Sequence, residues 1–297
     1  VYETLSYNLP TPIRTGYTFE GWYKTADFQN KVEANDEVPS VGEGNLFTDL
    51  YAKWTINQYT ISFEENGGST VDDITQNYAT AVSKPTDPTK TGYTFGGWYT
   101  NEECTAPYTF TTMPANDVTL YAKWNINQYT IIFNSNGGSG VDSITQDYQS
   151  DVVQPADPTR TGYTFSGWFT DNGTFENEYT FDTMPLDGIT LYAKWTPINY
   201  KITFVENGGS TVADITQGYE TKITKPTDPT KTGYTFGGWF TDNNTFENEF
   251  VFDTMPLNGT TLYAKWIAKT YSVTLDKQGG EGGTSSFTAT YGIKPSI

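Results

Sequence analysis

Residues 91–100 have the sequence TGYTFGGWYT, and closely similar segments recur along the chain. It returns as TGYTFSGWFT at 161–170 and as TGYTFGGWFT at 232–241, and a variant, TGYTFEGWYK, lies at 15–24. A segment so rich in aromatic residues and glycine is either a ligand-binding signature or the core of a small module present in several copies. We favour the core, because the other motifs of the chain repeat together with this one.

Two further motifs indicate that the chain is built from tandem repeats. YAKW occurs four times at intervals of 70, 71 and 71 residues, and NGGS occurs three times at intervals of 70 and 71. Motifs that keep one order and one spacing are the signature of repeated domains. The predicted domains are a partial repeat at 1–54 with an inserted loop, full repeats at 55–124, 125–195 and 196–266, and the start of a further, divergent repeat at 267–297.

Each full repeat has the sequence pattern of a β domain. QYTISF at 58–63 alternates apolar and polar residues, as a half-buried strand does, and the NGGS that follows predicts a turn. In YTFGGWYT the tryptophan falls out of phase by one residue, which predicts a β-bulge at Gly96–Gly97. The two prolines of KPTDPTKTG at 84–92 exclude this segment from a sheet, so we expect a crossing connection with one helical turn at Asp87–Lys90.

The tryptophans come in pairs, two in each repeat. A domain of about 70 residues has a small core, and large aromatic side chains fill it efficiently. We therefore predict that the tryptophans are structural core residues. The eight positions are Trp22 and Trp54, Trp98 and Trp124, Trp168 and Trp195, and Trp239 and Trp266.

The composition excludes several kinds of partner. The formal net charge is −18, from 17 basic and 35 acidic residues, and no run of lysine and arginine is present to bind a nucleic acid. No apolar run reaches the roughly 18 residues of a membrane-spanning helix, so we expect no membrane insertion. Dispersed acidic charge is typical of a soluble chain that stays monomeric.

The sequence also lacks the residues that most enzymes use. It has no histidine, the commonest general base and metal ligand, and its one cysteine, Cys104, has no partner for a disulfide. Neighbouring carboxylates such as Glu64 and Glu65 would face opposite sides of a strand, which is poor geometry for two-carboxylate catalysis. We therefore expect neither an enzyme nor a bound cofactor.

Acidic residues in two related loops, 169–182 and 240–253, are candidates for a calcium site. Calcium prefers oxygen ligands, but the spacing is not that of an EF-hand, and the repeat at 55–124 lacks the feature. A turn in a β-hairpin is the alternative that we favour. The candidate ligands are Asp171, Glu176, Glu178, Asp242, Glu247 and Glu249.

The motif series GYTF-x-GWYT, TMP and TLYAKW, preceded by NGGS and KPTDPTKT, resembles the Listeria–Bacteroides repeat, the B-repeat of internalin-type bacterial surface proteins. The resemblance covers essentially the whole chain, although the first repeat has Val38–Pro39 in place of Met–Pro. It implies a β-grasp-like α+β domain that is mostly β, with a mainly antiparallel sheet and one short helix. It also implies an exported protein at the cell surface or in the cell wall, of which this chain is one part, and it supplies no catalytic residues.

Two functions agree with this pattern. Junctions such as KWNINQYT leave only a few residues between successive repeats, which favours a spacer that projects other domains from the cell wall. Repetition also suits an adhesin whose copies each bind a host or environmental glycan or protein weakly and gain avidity together. We expect the spacer and keep the multivalent adhesin as the alternative.

Overall fold

The structure is a computed structural model in which residues 9–33 and 49–294 are described. These residues form sixteen β-strands and no helix, so the described part of the chain has no helix that could cross a membrane. In chain order the strands are β1 (Tyr17–Tyr23), β2 (Tyr51–Ile56), β3 (Gln58–Glu64), β4 (Ile74–Asn77), β5 (Tyr93–Tyr99), β6 (Val118–Ile126), β7 (Gln128–Asn134), β8 (Ile144–Asp147), β9 (Tyr163–Phe169), β10 (Ile189–Pro197), β11 (Asn199–Val205), β12 (Ile215–Gly218), β13 (Tyr234–Phe240), β14 (Thr260–Ala268), β15 (Thr270–Thr274) and β16 (Ser286–Thr290).

Each full repeat forms one four-stranded sheet, with the order β4-β3-β6-β5 in the first of them. The central strands β3 and β6 pair in parallel, and each has an antiparallel outer neighbour, β4 beside β3 and β5 beside β6. The next two repeats have the same arrangement, β8-β7-β10-β9 and β12-β11-β14-β13. The described parts of the two terminal repeats form two-stranded antiparallel sheets, β1-β2 and β15-β16.

The chain divides into two compact units. Val1–Tyr129 with Gln146–Ser150 form the first, and Thr130–Thr145 with Asp151–Ile297 form the second. The inserted loop expected between Pro39 and Tyr51 of the first repeat lies mostly outside the described residues.

The expected short helix is wrong, and with it the α+β, β-grasp-like description of each repeat. The segment that includes Asp87–Lys90 contains no helical turn. Pro88 contributes to this, because proline disfavours the helical conformation in the residue before it, here Asp87.

Two extended segments, at residues 80–82 and 111–113, cover the core of the first full repeat. They meet at an antiparallel bridge between Ala81 and Thr112. The Val82 amide donates to the Thr111 carbonyl at 2.9 Å, and the Met113 amide donates to the Thr80 carbonyl at 2.9 Å. The Val82 and Met113 side chains are buried against the sheet. The two paired extended segments thus cover the small core of this repeat with the side chains of Val82 and Met113.

The core of each repeat lies between the sheet and this cover. In the first full repeat the fully buried residues include Ile61 and Leu120 from the two central strands, both with no exposed surface. The predicted bulge in β5 is confirmed, since the register against β6 shifts between Phe95 and Trp98. The shift turns Trp98 toward the core.

The tryptophans occupy two kinds of position. Trp98, Trp168 and Trp239 are between 1% and 2% exposed and form the centre of their repeats. Trp124 and Trp266 are half-buried and pack against the edges of the cores. The others, Trp22, Trp54 and Trp195, are also half-buried.

Candidate functional site at the junctions between repeats

Successive repeats are joined without a flexible linker. The last strand of each repeat is separated from the first strand of the next by a single residue. These junction residues are Asn57, Asn127, Ile198 and Lys269. A connection this short leaves the backbone very little freedom to reorient one repeat against its neighbour.

Two backbone hydrogen bonds hold each junction residue in place. The Asn57 amide donates to the Gly16 carbonyl of the preceding repeat at 2.9 Å, and the Tyr78 amide of the following repeat donates to the Asn57 carbonyl at 2.8 Å. The same two bonds recur, at 2.8 to 2.9 Å, through Asn127 with Gly92 and Tyr148, through Ile198 with Gly162 and Tyr219, and through Lys269 with Gly233 and Tyr291. Each junction residue therefore links a glycine of one repeat to a tyrosine of the next.

The tyrosine side chain then lies directly against that glycine. A Cβ atom added at Gly16 would lie 2.0 Å from Cδ1 of Tyr78, which is far too close for any side chain. Gly16 also has φ +76°, a conformation that residues with a Cβ rarely adopt. The corresponding distances at the other three described junctions are 1.9 Å for Gly92 and Tyr148, 2.2 Å for Gly162 and Tyr219, and 2.2 Å for Gly233 and Tyr291. We call this arrangement the Gly–Tyr contact.

Aromatic and polar contacts add to the Gly–Tyr contact. The tyrosine that follows the glycine in sequence meets the same ring edge-to-face, with centroids 6.2 Å apart for Tyr17 and Tyr78 and 5.7 Å apart for Tyr163 and Tyr219. At the latter junction the Tyr163 hydroxyl donates to Oε2 of Glu220 at 2.8 Å. This hydrogen bond to a carboxylate raises the pKa of Tyr163 above its usual value.

The NGGS turn is held against the YAKW strand within each full repeat. In the first full repeat Nδ2 of Asn66 donates to the Ala122 carbonyl at 2.9 Å, and Nε1 of Trp124 donates to the Glu65 carbonyl at 2.8 Å. A Cβ at Gly68 would lie 2.4 Å from Cζ2 of Trp124, so the indole ring requires glycine there. The residues that recur in the two motifs of this chain therefore contact one another within each full repeat.

The calcium candidates of the loop at 169–182 do not converge on a common point. The carboxylate of Asp171 accepts hydrogen bonds from the Thr174 hydroxyl, from the Asn177 amide at 2.9 Å and from the Glu176 amide at 3.1 Å. The Thr174 hydroxyl and then the Asn177 amide are the main causes that lower the pKa of Asp171 to about 2. Glu178 lies instead beside the bulge glycine Gly167.

The loop at 240–253 has the same arrangement. Desolvation raises the pKa of Asp242, but hydrogen bonds from the Thr245 side chain and from the Asn248, Phe246 and Thr245 amides outweigh it and lower the pKa overall. Glu249 lies beside Gly238, as Glu178 does beside Gly167, and Glu247 contributes its backbone amide to Asp242. Within the described residues no three acidic or sulfur-bearing side chains form a group that could hold a metal ion.

Comparison with known proteins identifies the repeats. The sequence profile of the Listeria-Bacteroides repeat domain matches four segments in tandem, at 1–53, 59–123, 129–194 and 200–265. The chain belongs to the Listeria-Bacteroides repeat family. This is a family of repeats in bacterial cell-surface proteins, as the sequence motifs indicated.

Three relatives show where such repeats occur. A protein of Evansella cellulosilytica named "Putative Gly-rich membrane protein" is 38% identical over 94% of this chain and 33% of its own length. A second protein of that organism, named "Putative membrane protein", is 39% identical over 82% of this chain and 37% of its own length. Internalin H of Listeria monocytogenes is 42% identical over 46% of this chain and 25% of its own length. The chain thus spans about a third of the length of the first two relatives.

Sequence reasoning missed the Gly–Tyr contact of this Listeria-Bacteroides repeat array. Both partners belong to recurring phrases, TGY and a tyrosine two residues after ITQ, and their recurrence was visible. Their contact was not, because the two residues lie in different repeats, 56 positions apart for Gly92 and Tyr148. The available signal was a tyrosine that recurs at the same position of each full repeat although it belongs to no alternating apolar pattern.

Proposed function

We propose that this chain is a non-catalytic spacer within an exported surface protein, where it projects other domains away from the cell wall. The observation that carries this proposal is the junction: one residue between strands, two backbone hydrogen bonds and the Gly–Tyr contact, repeated four times among the described residues. Tandem domains joined by flexible linkers would separate their ends poorly, because a flexible chain lengthens only with the square root of its length. Fixed junctions make length grow with the number of repeats.

The surface of the chain supports the same role. Its net charge of −18 favours mutual repulsion between neighbouring copies and leaves the array soluble. The buried residues that the structure describes are all apolar, so the interior of each repeat serves packing. Binding to a target, in this proposal, is the task of other domains in the longer protein.

The proposal can be tested by measuring the distance between two neighbouring repeats. Val153 and Val251 lie in successive repeats of the same compact unit and are 81% and 79% exposed, so spin labels on cysteines there would perturb little. With Cys104 replaced by serine, Val153→Cys and Val251→Cys can be labelled selectively. We expect one narrow distance distribution by pulsed electron paramagnetic resonance. A broad distribution, like that of a flexible linker, would overturn the proposal.

A binding measurement separates the spacer from the multivalent adhesin. The full chain, presented at high density to an array of glycans and of host surface proteins, should show no saturable binding if it is only a spacer. Saturable binding that weakens steeply when the chain is presented sparsely would indicate avidity and favour the adhesin.

A further inference from the structure

The geometry points to a mechanical function: each full repeat resists stretching along the array through its central pair of parallel strands. This inference rests on the proposed spacer function for its biological purpose, because a stalk that connects a cell wall to a bound target is under tension. The mechanical property itself is a property of this chain and can be measured alone.

The two strands through which force enters and leaves a repeat are direct neighbours. In the first full repeat β3 directly follows the junction residue Asn57, and the junction residue Asn127 directly follows β6. Residues 61–64 of β3 pair in parallel with residues 118–121 of β6. Tension therefore pulls the amino end of β3 and the carboxyl end of β6 in opposite directions along the same ladder.

This direction of pulling is the one that a strand pair resists best. Because the strands are parallel and loaded at opposite ends, the hydrogen bonds of the ladder are strained together and must break together. An antiparallel hairpin pulled at its open end is instead peeled one bond at a time. The ladder is also protected from water, since Ile61 and Leu120 at its centre have no exposed surface.

Two side-chain hydrogen bonds reinforce each ladder just beyond the carboxyl end of its first strand, as the second full repeat shows. Asn136 lies just beyond β7, and its Nδ2 donates to the Ala193 carbonyl on β10 at 2.9 Å. Nε1 of Trp195, also on β10, donates to the Ser135 carbonyl at 2.8 Å. The same two bonds, which we call the straps, occur at Asn66 and Trp124 and at Asn207 and Trp266. Sliding β7 past β10 must break the straps as well as the ladder.

The described parts of the terminal repeats lack this arrangement. The β1-β2 and β15-β16 sheets are both antiparallel and contain no parallel pair. We call a parallel pair of central strands with its two straps a clamp. The described residues contain three clamps, one in each full repeat, and we expect the two terminal sheets to open at low force.

Single-molecule force spectroscopy on the full chain, held at its two ends, tests the inference. We expect three unfolding events at similar force, each releasing about 25 nm of contour, since about 70 residues extend by roughly 3.6 Å each. The terminal sheets should open earlier, without a resolved force peak. Unfolding of the full repeats at forces no higher than those of the terminal sheets would overturn the inference.

The pulling direction supplies a control that leaves the folded protein unchanged. Thr164 and Thr196 are exposed partners on the antiparallel strands β9 and β10. Force applied between Thr164→Cys and Thr196→Cys, with Cys104→Ser, would peel this pair, and we expect a several-fold lower rupture force than for pulling at the ends. Equal forces in the two directions would contradict the clamp.

A strap variant gives a second control within one molecule. Asn136→Gly removes one strap, and glycine readily adopts the φ of +46° that Asn136 has in the folded chain. We expect one of the three unfolding events to move to lower force while the other two stay unchanged. Three unchanged events would show that the straps carry no load. A low force in all of these experiments would overturn the mechanical function. It would not affect the proposed spacer function, which is tested by the distance between repeats.

Discussion

The ring of Tyr219 lies so close to Gly162 that a Cβ atom on the glycine would be 2.2 Å from Cδ1 of the ring. The two residues belong to successive repeats, and the junction residue Ile198 is hydrogen-bonded to both backbones. The contact therefore requires glycine for two reasons, the absence of a side chain and a φ of +80°.

Replacing this glycine should loosen the junction. In Gly162→Ala the left-handed conformation costs about 1–2 kcal/mol. The clash with Tyr219 adds the cost of overpacking, about 1–3 kcal/mol. We expect a lower free energy of unfolding and a broader distance distribution between labels at positions 153 and 251.

A matched control separates the clash from the backbone strain. Gly279 has φ +85°, but no atom lies within 4 Å of the Cβ that alanine would add. Gly279→Ala should therefore show the strain alone and leave the label distances unchanged. The Gly–Tyr contact would not fix the junction if both variants lost the same free energy of unfolding and both kept a narrow distribution of label distances.

The second glycine of the NGGS turn should be intolerant of alanine for a purely steric reason. A Cβ at Gly138 would lie 2.3 Å from Cζ2 of Trp195, whereas Gly140, two residues later, has nothing within 4 Å. We expect Gly138→Ala to lower the free energy of unfolding by about 1–3 kcal/mol. Gly140→Ala should be neutral or stabilise by about 0.4–1 kcal/mol. Chemical denaturation of both variants checks this, and equal effects would contradict the packing described for Trp195.

Met184 should be essential to the cover of its sheet. It has no exposed surface, while Leu186, two residues along the same segment, is 44% exposed. Met184→Ala would leave a cavity in a core without a helix above it, at a cost of about 2–5 kcal/mol. Leu186→Ala should change the free energy of unfolding by less than about 0.5 kcal/mol. A small loss for Met184→Ala would show that the core closes without this residue.

The sequence predicted what depends on local pattern. The alternation of QYTISF placed β3, and the phase slip in YTFGGWYT placed the bulge before Trp98, because strand periodicity and glycine's backbone freedom act over a few residues. Recurrence of the motifs likewise predicted that the chain is built from tandem repeats, because a repeated sequence is visible without knowledge of any contact. The helical turn expected at Asp87–Lys90 is wrong because proline disfavours the helical conformation in the residue before it, and Pro88 follows Asp87. The short helix implied by the resemblance is likewise absent from the described residues.

Contacts between residues far apart in the sequence could not be predicted from local sequence periodicity. Gly162 and Tyr219 are 57 positions apart, and nothing in the periodicity of either segment indicates that they meet. The parallel pairing of the two central strands of a repeat is equally nonlocal, since Ile61 and Val118 pair although they are 57 positions apart. The acidic loops show the converse: the side chains were visible as calcium candidates, but the hydrogen bonds of Asp171 to its own loop were not.

The carboxylate of Asp171 should make the order of its loop depend on pH. Its pKa is lowered to about 2 because it accepts hydrogen bonds from the Thr174 hydroxyl and from the Asn177 and Glu176 amides. An unfolded aspartate has a pKa of about 3.9. A carboxyl group with a lowered pKa stabilises the folded state above the unfolded value, and this stabilisation is lost as the pH falls through the folded one. The loss should therefore occur between about pH 4 and pH 2.

Carbon-detected NMR of the Asp171 carboxyl group would measure this midpoint directly, and we expect it near pH 2. In Asp171→Asn the amide group does not titrate and retains one acceptor oxygen, so the Asn177 amide should keep part of its protection from hydrogen exchange at every pH. In Asp171→Ala that protection should be lost at neutral pH as well. A midpoint near 4, or an Asn177 amide that exchanges equally in the chain with Asp171 and in the alanine variant, would mean that the carboxylate is free to bind a cation.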